Sequence, residues 1–86
     1  MIKVYFKASF ARLIQKLEPG LCQEILEKSE LLKDKKNHTS LKVHKLHGKL
    51  SGYFSFSVNY KTRVVFMYES KTEIVLLMVG NHDMYQ

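Results

Sequence analysis

The chain has few residues of the kind that staple, break or anchor structure. Among its 86 residues are one cysteine, one proline, four glycines and no tryptophan. A lone cysteine, Cys22, cannot form an internal disulfide, so a reducing, cytoplasmic setting is expected. Cys22 itself reads as a small buried helix residue. Proline and glycine are too sparse for a linker, and neither a repeat nor a low-complexity segment is present. No apolar run approaches the roughly 20 residues of a membrane helix. The first residues lack the charged and then apolar segments of a secretory signal, so none is expected. Acidic residues are also scarce: 14 Lys and Arg stand against 8 Asp and Glu, a net charge of +6. Such an excess attracts polyanions. Nucleic acid, an acidic protein and a membrane surface all suit it, as does a basic protein with no such partner.

What is present is an ordinary globular balance, 45% hydrophobic with 26% charged, enough for a small core and against disorder. The length suits one domain, residues 1–86. Residues 2–6 (IKVYF) are rich in β-formers and read as a strand. Ser9 is placed to cap a helix. In it Phe10, Leu13, Ile14 and Leu17 share a face through i, i+3, i+4, i+7 spacing, and Pro19-Gly20 ends it. A second helix is expected over 21–36, with Leu21, Ile25 and Leu32 on an apolar stripe widened by Cys22 and Leu26. Lys33, Lys35 and Lys36 suit the negative end of its dipole, and Asn37 can close it in the left-handed conformation. The short link predicts an antiparallel helical hairpin.

The second half is read as strands. Residues 38–40 form a polar break, 41–49 (LKVHKLHGK) suggest a brief extended piece, and Gly48 and Gly52 bracket a turn. Residues 53–60 alternate: Phe54, Phe56, Val58 and Tyr60 take one face, Tyr53, Ser55, Ser57 and Asn59 the other. The first face is expected to meet the helices, so Phe54, Phe56, Tyr60 and, from the next strand, Phe66 are core candidates. The second is expected to stay open. A turn at 59–62 leads into a strand at 63–69 that carries Arg63, Val65 and Met67 on one face. Residues 73–79 (EIVLLMV) are apolar on both faces, as a strand covered on both sides would be; Gly80 breaks it and a polar tail follows. The order β-α-α-β-β-β predicts an α+β fold. In it an antiparallel sheet, the N-terminal strand plus a three-strand meander, is covered on one face by the helical hairpin.

The chemistry-bearing residues narrow by elimination. His44 and His47 lie three apart, but no Cys, Asp or Glu completes a zinc spacing, and Asp83 beside His82 fits no ligand pattern. No metal and no cofactor are expected. There is no Gly-x-Ser-x-Gly turn and no Gly-rich phosphate loop. What remains is a set of histidines with Lys42, Lys45, Lys49, Arg63 and tyrosines. Metal-free cleavage of RNA needs such groups: a base for the 2′-hydroxyl, an acid for the leaving 5′-oxygen and a cation for the phosphorane. Histidine suits the first two roles and the planar fork of arginine the third. Aromatics can stack on splayed bases. Basic surfaces with histidines are common, so this set does not by itself single out a nuclease.

Four motifs then follow in order: His44-x-Leu46-x-Gly48, Gly52-Tyr53 opening a strand, Arg63-Val64-Val65-Phe66, and Gly80-Asn81-His82-Asp83-x-Tyr85. Each alone is loose; together, at this spacing, they resemble the RelE/ParE superfamily of toxin–antitoxin toxins, and most its RelE/YafQ-type ribonuclease branch. The resemblance covers nearly the whole chain. It implies a RelE-like fold and a cytoplasmic mRNA interferase of a type II toxin–antitoxin module. Such an enzyme cuts mRNA at the ribosome without metal, has no membrane partner and is held inactive by a cognate antitoxin. Carried over by motif, His44 and His82 are the acid/base candidates, Arg63 the phosphate ligand, and Tyr85 a residue that orients or stacks on substrate. Lys42, Lys45, His47, Lys49 and Tyr53 complete the expected RNA surface. Ser55 and Ser57 depart from the pattern, standing where basic or histidine side chains often occur. A ParE-type gyrase inhibitor, or a decayed module that only binds antitoxin or RNA, therefore stays open beside the nuclease.

Overall fold

The computed structural model describes residues 1–81. The elements are β1 (Lys3–Phe6), α1 (Ala8–Gln15), α2 (Pro19–Leu31), β2 (His44–Lys45), β3 (Phe54–Ser57), β4 (Thr62–Ser70) and β5 (Glu73–Asn81). Short 3-10 turns lie at Lys35–Asn37 and Gly48–Leu50. The strands form one sheet in the order β1-β5-β4-β3-β2. Its β2–β5 part is antiparallel, as expected, and the extended piece after residue 41 becomes the two-residue edge strand β2. The first strand does join the meander, but parallel to β5, so the sheet is mixed. Parallel neighbours need a long connection, and here both helices and the meander lie between them.

Helix boundaries moved for local reasons. Ser9 lies inside α1, whose N-cap position is Lys7 and has no side-chain cap. Pro19 starts α2: at the first helical position its missing N–H leaves no bond unmade. The helix stops at Leu31, well short of residue 36. Asp34 Oδ1 accepts from the Lys36 N–H at 3.1 Å, a local bond that competes with helix continuation. Lys35 and Lys36 therefore sit in a separate turn rather than on the helix dipole. Asn37 ends the helix through its side chain, Nδ2 donating to the Leu31 carbonyl at 2.9 Å. The left-handed backbone falls instead on Lys42, at φ 56°.

The core lies between the helices and one face of the sheet. Phe10 and Ile14 of α1 and Ile25 and Leu32 pack with Phe56, Val64, Phe66, Ile74 and Leu76. Leu13 and Leu26, expected on the apolar stripes, are exposed. Phe54 stacks on Phe66 at 5.6 Å between ring centres, and Tyr68 meets Phe54 edge-on at 5.0 Å. On the opposite face Leu46 and Val65 are buried with Leu50 and Tyr53 packed on them. That face is less open than the alternation suggests: Ser55 is fully buried. The alternation also fails at Tyr60, which is 85% exposed rather than core. Asn59 Oδ1 accepts from the N–H groups of Lys61 and Thr62, at 2.8 and 2.9 Å, and this Asx turn ends the strand period before Tyr60. β5 is not covered on both sides, since Met78 is 40% exposed. Nor does Gly80 break it: Gly80 pairs with Arg63. Among the described residues no helix is long and apolar enough to cross a membrane.

Two stability predictions follow from this packing. Phe66→Ala should cost about 3–5 kcal/mol in urea denaturation, because the ring is fully buried among aromatics that cannot collapse into its place. A loss below about 1 kcal/mol would show that the cluster is not the structural centre. Burial also pushes the Tyr68 phenol above its usual 10.0. The unfolded phenol then ionises first, so its contribution to stability is lost as pH rises through about 10. Tyr68→Phe keeps the ring contacts and should lose less stability than the wild type as pH rises above about 10; equal losses would exclude Tyr68 as the cause.

Candidate functional site

Strand register decides which side chains can meet. His44 pairs with Ser55, Ser55 with Val65 and Ser57 with Arg63. Alternation places His44, Ser55, Ser57 and Arg63 on the sheet face turned away from the helices. With strands about 4.8 Å apart and a rise of about 3.3 Å per residue, the His44 and Arg63 Cα atoms lie roughly 12 Å apart. The residues between them are serines: Ser57 half-buried, Ser55 buried with an Oγ that has no hydrogen-bond partner among the described residues.

Beyond the end of β2 this face opens into a cleft of about 440 Å³ between α2, the turn before β2 and the β3–β4 hairpin. Lys28, Lys42, Ser57, Tyr60 and Arg63 are among its lining residues, none of which is acidic. Arg63, 8% exposed, lies at its bottom. Lys42 enters from a left-handed backbone, a conformation that costs a side-chain-bearing residue about 1–2 kcal/mol. The Lys42 carbonyl accepts from the ring of His44, Nδ1 to oxygen 2.9 Å. Because a carbonyl can only accept, this bond puts the His44 proton on Nδ1 and leaves the Nε2 lone pair for proton uptake.

The other expected residues are spread more widely. Lys45 pairs with Phe54 and therefore points to the helix side of the sheet, away from His44 and Arg63. His47 and Lys49 are exposed around the Gly48–Leu50 turn, at the opposite end of the β2–β3 hairpin from the cleft. Tyr53 is half-buried against Leu46 and Val65. His82 and Tyr85 lie outside the described residues; β5 is described as far as Asn81, which pairs with Thr62. His38 takes a structural role, its Nε2 donating to the Leu32 carbonyl at 2.8 Å. Among the described residues no three His, Cys, Asp or Glu side chains come together to hold a metal ion.

Lys28 and Tyr60 are cleft residues that the sequence does not point to. Helical spacing puts Lys28 on the same side of α2 as Leu21, Ile25 and Leu32, where it is half-buried, and strand periodicity places Tyr60 in the core. The only available signal for Tyr60 is Asn59, a turn-forming residue that interrupts the alternation just before it.

No family model matches the chain, and no curated protein does. Solved structures do. A chain of the RelBE2 toxin–antitoxin complex from Mycobacterium tuberculosis superposes with a TM-score of 0.74 at 21% identity, covering 94% of this chain and 98% of that one. The RelE–RelB complex from the archaeon Pyrococcus horikoshii gives 0.72 at 19%, with 93% of each chain covered. The YoeB–YefM complex from Staphylococcus aureus gives 0.70 at 19%, covering 95% and 98%. These superpositions run from end to end of the chain: it has the RelE-like fold.

Proposed function

We propose that this chain is the single-domain toxin of a type II toxin–antitoxin module, a metal-independent endoribonuclease that cuts mRNA at the ribosome and is silenced by a cognate antitoxin. The observation that carries the reading is the cleft lined by Lys28, Lys42 and Arg63 without an acidic residue, with His44 on the same sheet face and bonded to the carbonyl of the lining residue Lys42. It occurs in a fold shared with RelE and YoeB toxins whose structures were solved with their antitoxins.

In this reading His44 Nε2 takes the proton of a ribose 2′-hydroxyl. The 2′-oxygen attacks phosphorus, the bond to the 5′-oxygen breaks, and His82 gives that oxygen a proton. The products are a 2′,3′-cyclic phosphate and a free 5′-hydroxyl. Arg63 offers its planar fork to the phosphorane, whose extra charge needs stabilising only as it forms. Tyr85 orients the neighbouring base, and Lys42 meets an adjacent phosphate. His47 and Lys49 extend the positive surface along the strand.

One observation favours a second reading. Ser55 is buried and Ser57 offers only a hydroxyl, so β3 supplies no cation between His44 and Arg63. A module that binds antitoxin or RNA without cutting has the same geometry.

Induced expression in a bacterial host, with primer extension across an abundant mRNA, separates these readings. Wild type should produce new cuts within translated codons. His82→Ala should slow them by about 10²–10⁴-fold and Arg63→Lys, which keeps the charge but loses the fork, by about 10²–10³-fold, both with unchanged thermal melts. Arrested growth without cuts would move the assignment to gyrase inhibition of the ParE type. Normal growth without cuts, with folded protein, would leave binding alone.

Lys42 is expected to show a trade. Lys42→Gly should weaken RNA binding while raising stability by up to about 1 kcal/mol, because glycine removes the left-handed strain. Lys42→Ala should weaken binding with no such gain. Unchanged RNA affinity in both would place the RNA path elsewhere.

A further inference from the structure

The tip of the β3–β4 hairpin holds a side chain that cleavage leaves unused. Tyr60 is 85% exposed and shares the cleft with Lys28, Lys42 and Arg63. A large ring left in water adds nothing to the core, yet the backbone under it is pinned. Asn59 Oδ1 holds the N–H groups of Lys61 and Thr62 at 2.8 and 2.9 Å. Asn59 Nδ2 donates to Glu24 Oε1 at 2.8 Å, which ties the tip to α2 and engages that carboxylate. The Val58 N–H donates to the Thr62 carbonyl at 2.9 Å. An exposed ring on a fixed support, with lysines approaching from α2 and from the turn before β2, has the components of a site for a stacked base with its phosphate. The cleft, about 440 Å³, falls within the roughly 300–1,000 Å³ of small-ligand pockets.

We propose that Tyr60 and Lys28 form a nucleotide subsite. The ring stacks on one base of a single-stranded RNA, and Lys28 takes the phosphate of that nucleotide, beside the phosphate held by Arg63. This rests on the RNA reading above and adds to it a position that grips a base. Every base has a π-face, so the subsite selects splayed, unpaired nucleotides over paired ones and tolerates sequence.

The test is fluorescence anisotropy on the full chain with a short labelled 2′-O-methyl RNA, which cannot be cut, and a series in which each nucleotide in turn is made abasic. Tyr60→Ala should weaken binding to the intact strand roughly 5- to 150-fold, while Tyr60→Phe should keep the wild-type affinity. One abasic position should weaken the wild type to the level of Tyr60→Ala, and there the substitution should have no further effect. Lys28→Gln should flatten the dependence of log affinity on log salt by about 0.7. Unchanged affinity in Tyr60→Ala, with loss in Lys42→Ala, would overturn the subsite and leave the RNA reading standing. Equal losses by Tyr60→Ala on every abasic strand would overturn it too, because the ring would then be acting on the hairpin and not on a base. A wild-type chain that binds none of these strands would overturn both.

Discussion

Phe54 faces Phe66 across β3 and β4, and Ser57 faces Arg63 in the same ladder. Because side chains alternate with a period of two, this one register both sends Phe56, Val64 and Phe66 into the core and turns Ser57 and Arg63 to the other face. A slip of one residue would drive the guanidinium in among Phe10 and Ile25 and expose the aromatic cluster. Turning the fully buried Phe56, Val64 and Phe66 out to solvent costs several kcal/mol, so the slipped register is strongly disfavoured. The position of the cleft is thus a consequence of hydrophobic burial on the far side of the sheet. The site needs no separate scaffold.

A second set of constraints runs from the end of α2 to the cleft, and it is made of hydrogen bonds. Asn37 and His38 tie down the carbonyls of Leu31 and Leu32. The His38 carbonyl accepts from the Val43 N–H at 3.0 Å, and the Leu41 carbonyl from the Ser57 N–H at 2.8 Å. Between these anchors the chain must turn sharply, and Lys42 takes the left-handed conformation. Strain of this kind persists only where the surroundings over-determine it. Here it aims one carbonyl at His44 and one side chain into the cleft. The His44 ring is thus held by the carbonyl of a strained residue two positions before it.

Legibility followed the range of the interactions. The β-α-α-β-β-β order, the Phe54/Phe56/Val58 face and the turn at Asn59 could be read because periodicity and turn chemistry are local. That Arg63 shares a face with Val65 could be read from alternation; that His44 lies on that face follows only from the pairing of β2 with β3. Three further features could not be read. The parallel docking of β1 on β5 depends on how the helices return the chain, which no window of residues encodes. The burial of Ser55 depends on the Leu46–Val65 cluster forming over that face. The outward turn of Tyr60 depends on Asn59 choosing its own backbone as partner over the strand ladder.

Composition and pattern by themselves determined a small, basic α+β chain without an internal disulfide, and they left a set of histidines, lysines, tyrosines and Arg63 as the residues able to do chemistry. They could do so because charge sums, residue counts and side-chain period survive without three-dimensional context. Only the tertiary structure decided that Lys28 and Tyr60 share a cleft with Arg63 and that Lys45 does not face it. The reason is geometric. α2 and the β3–β4 hairpin are brought together by the Asn59–Glu24 bond across 35 residues of sequence, and the face of Lys45 is set by its pairing with Phe54.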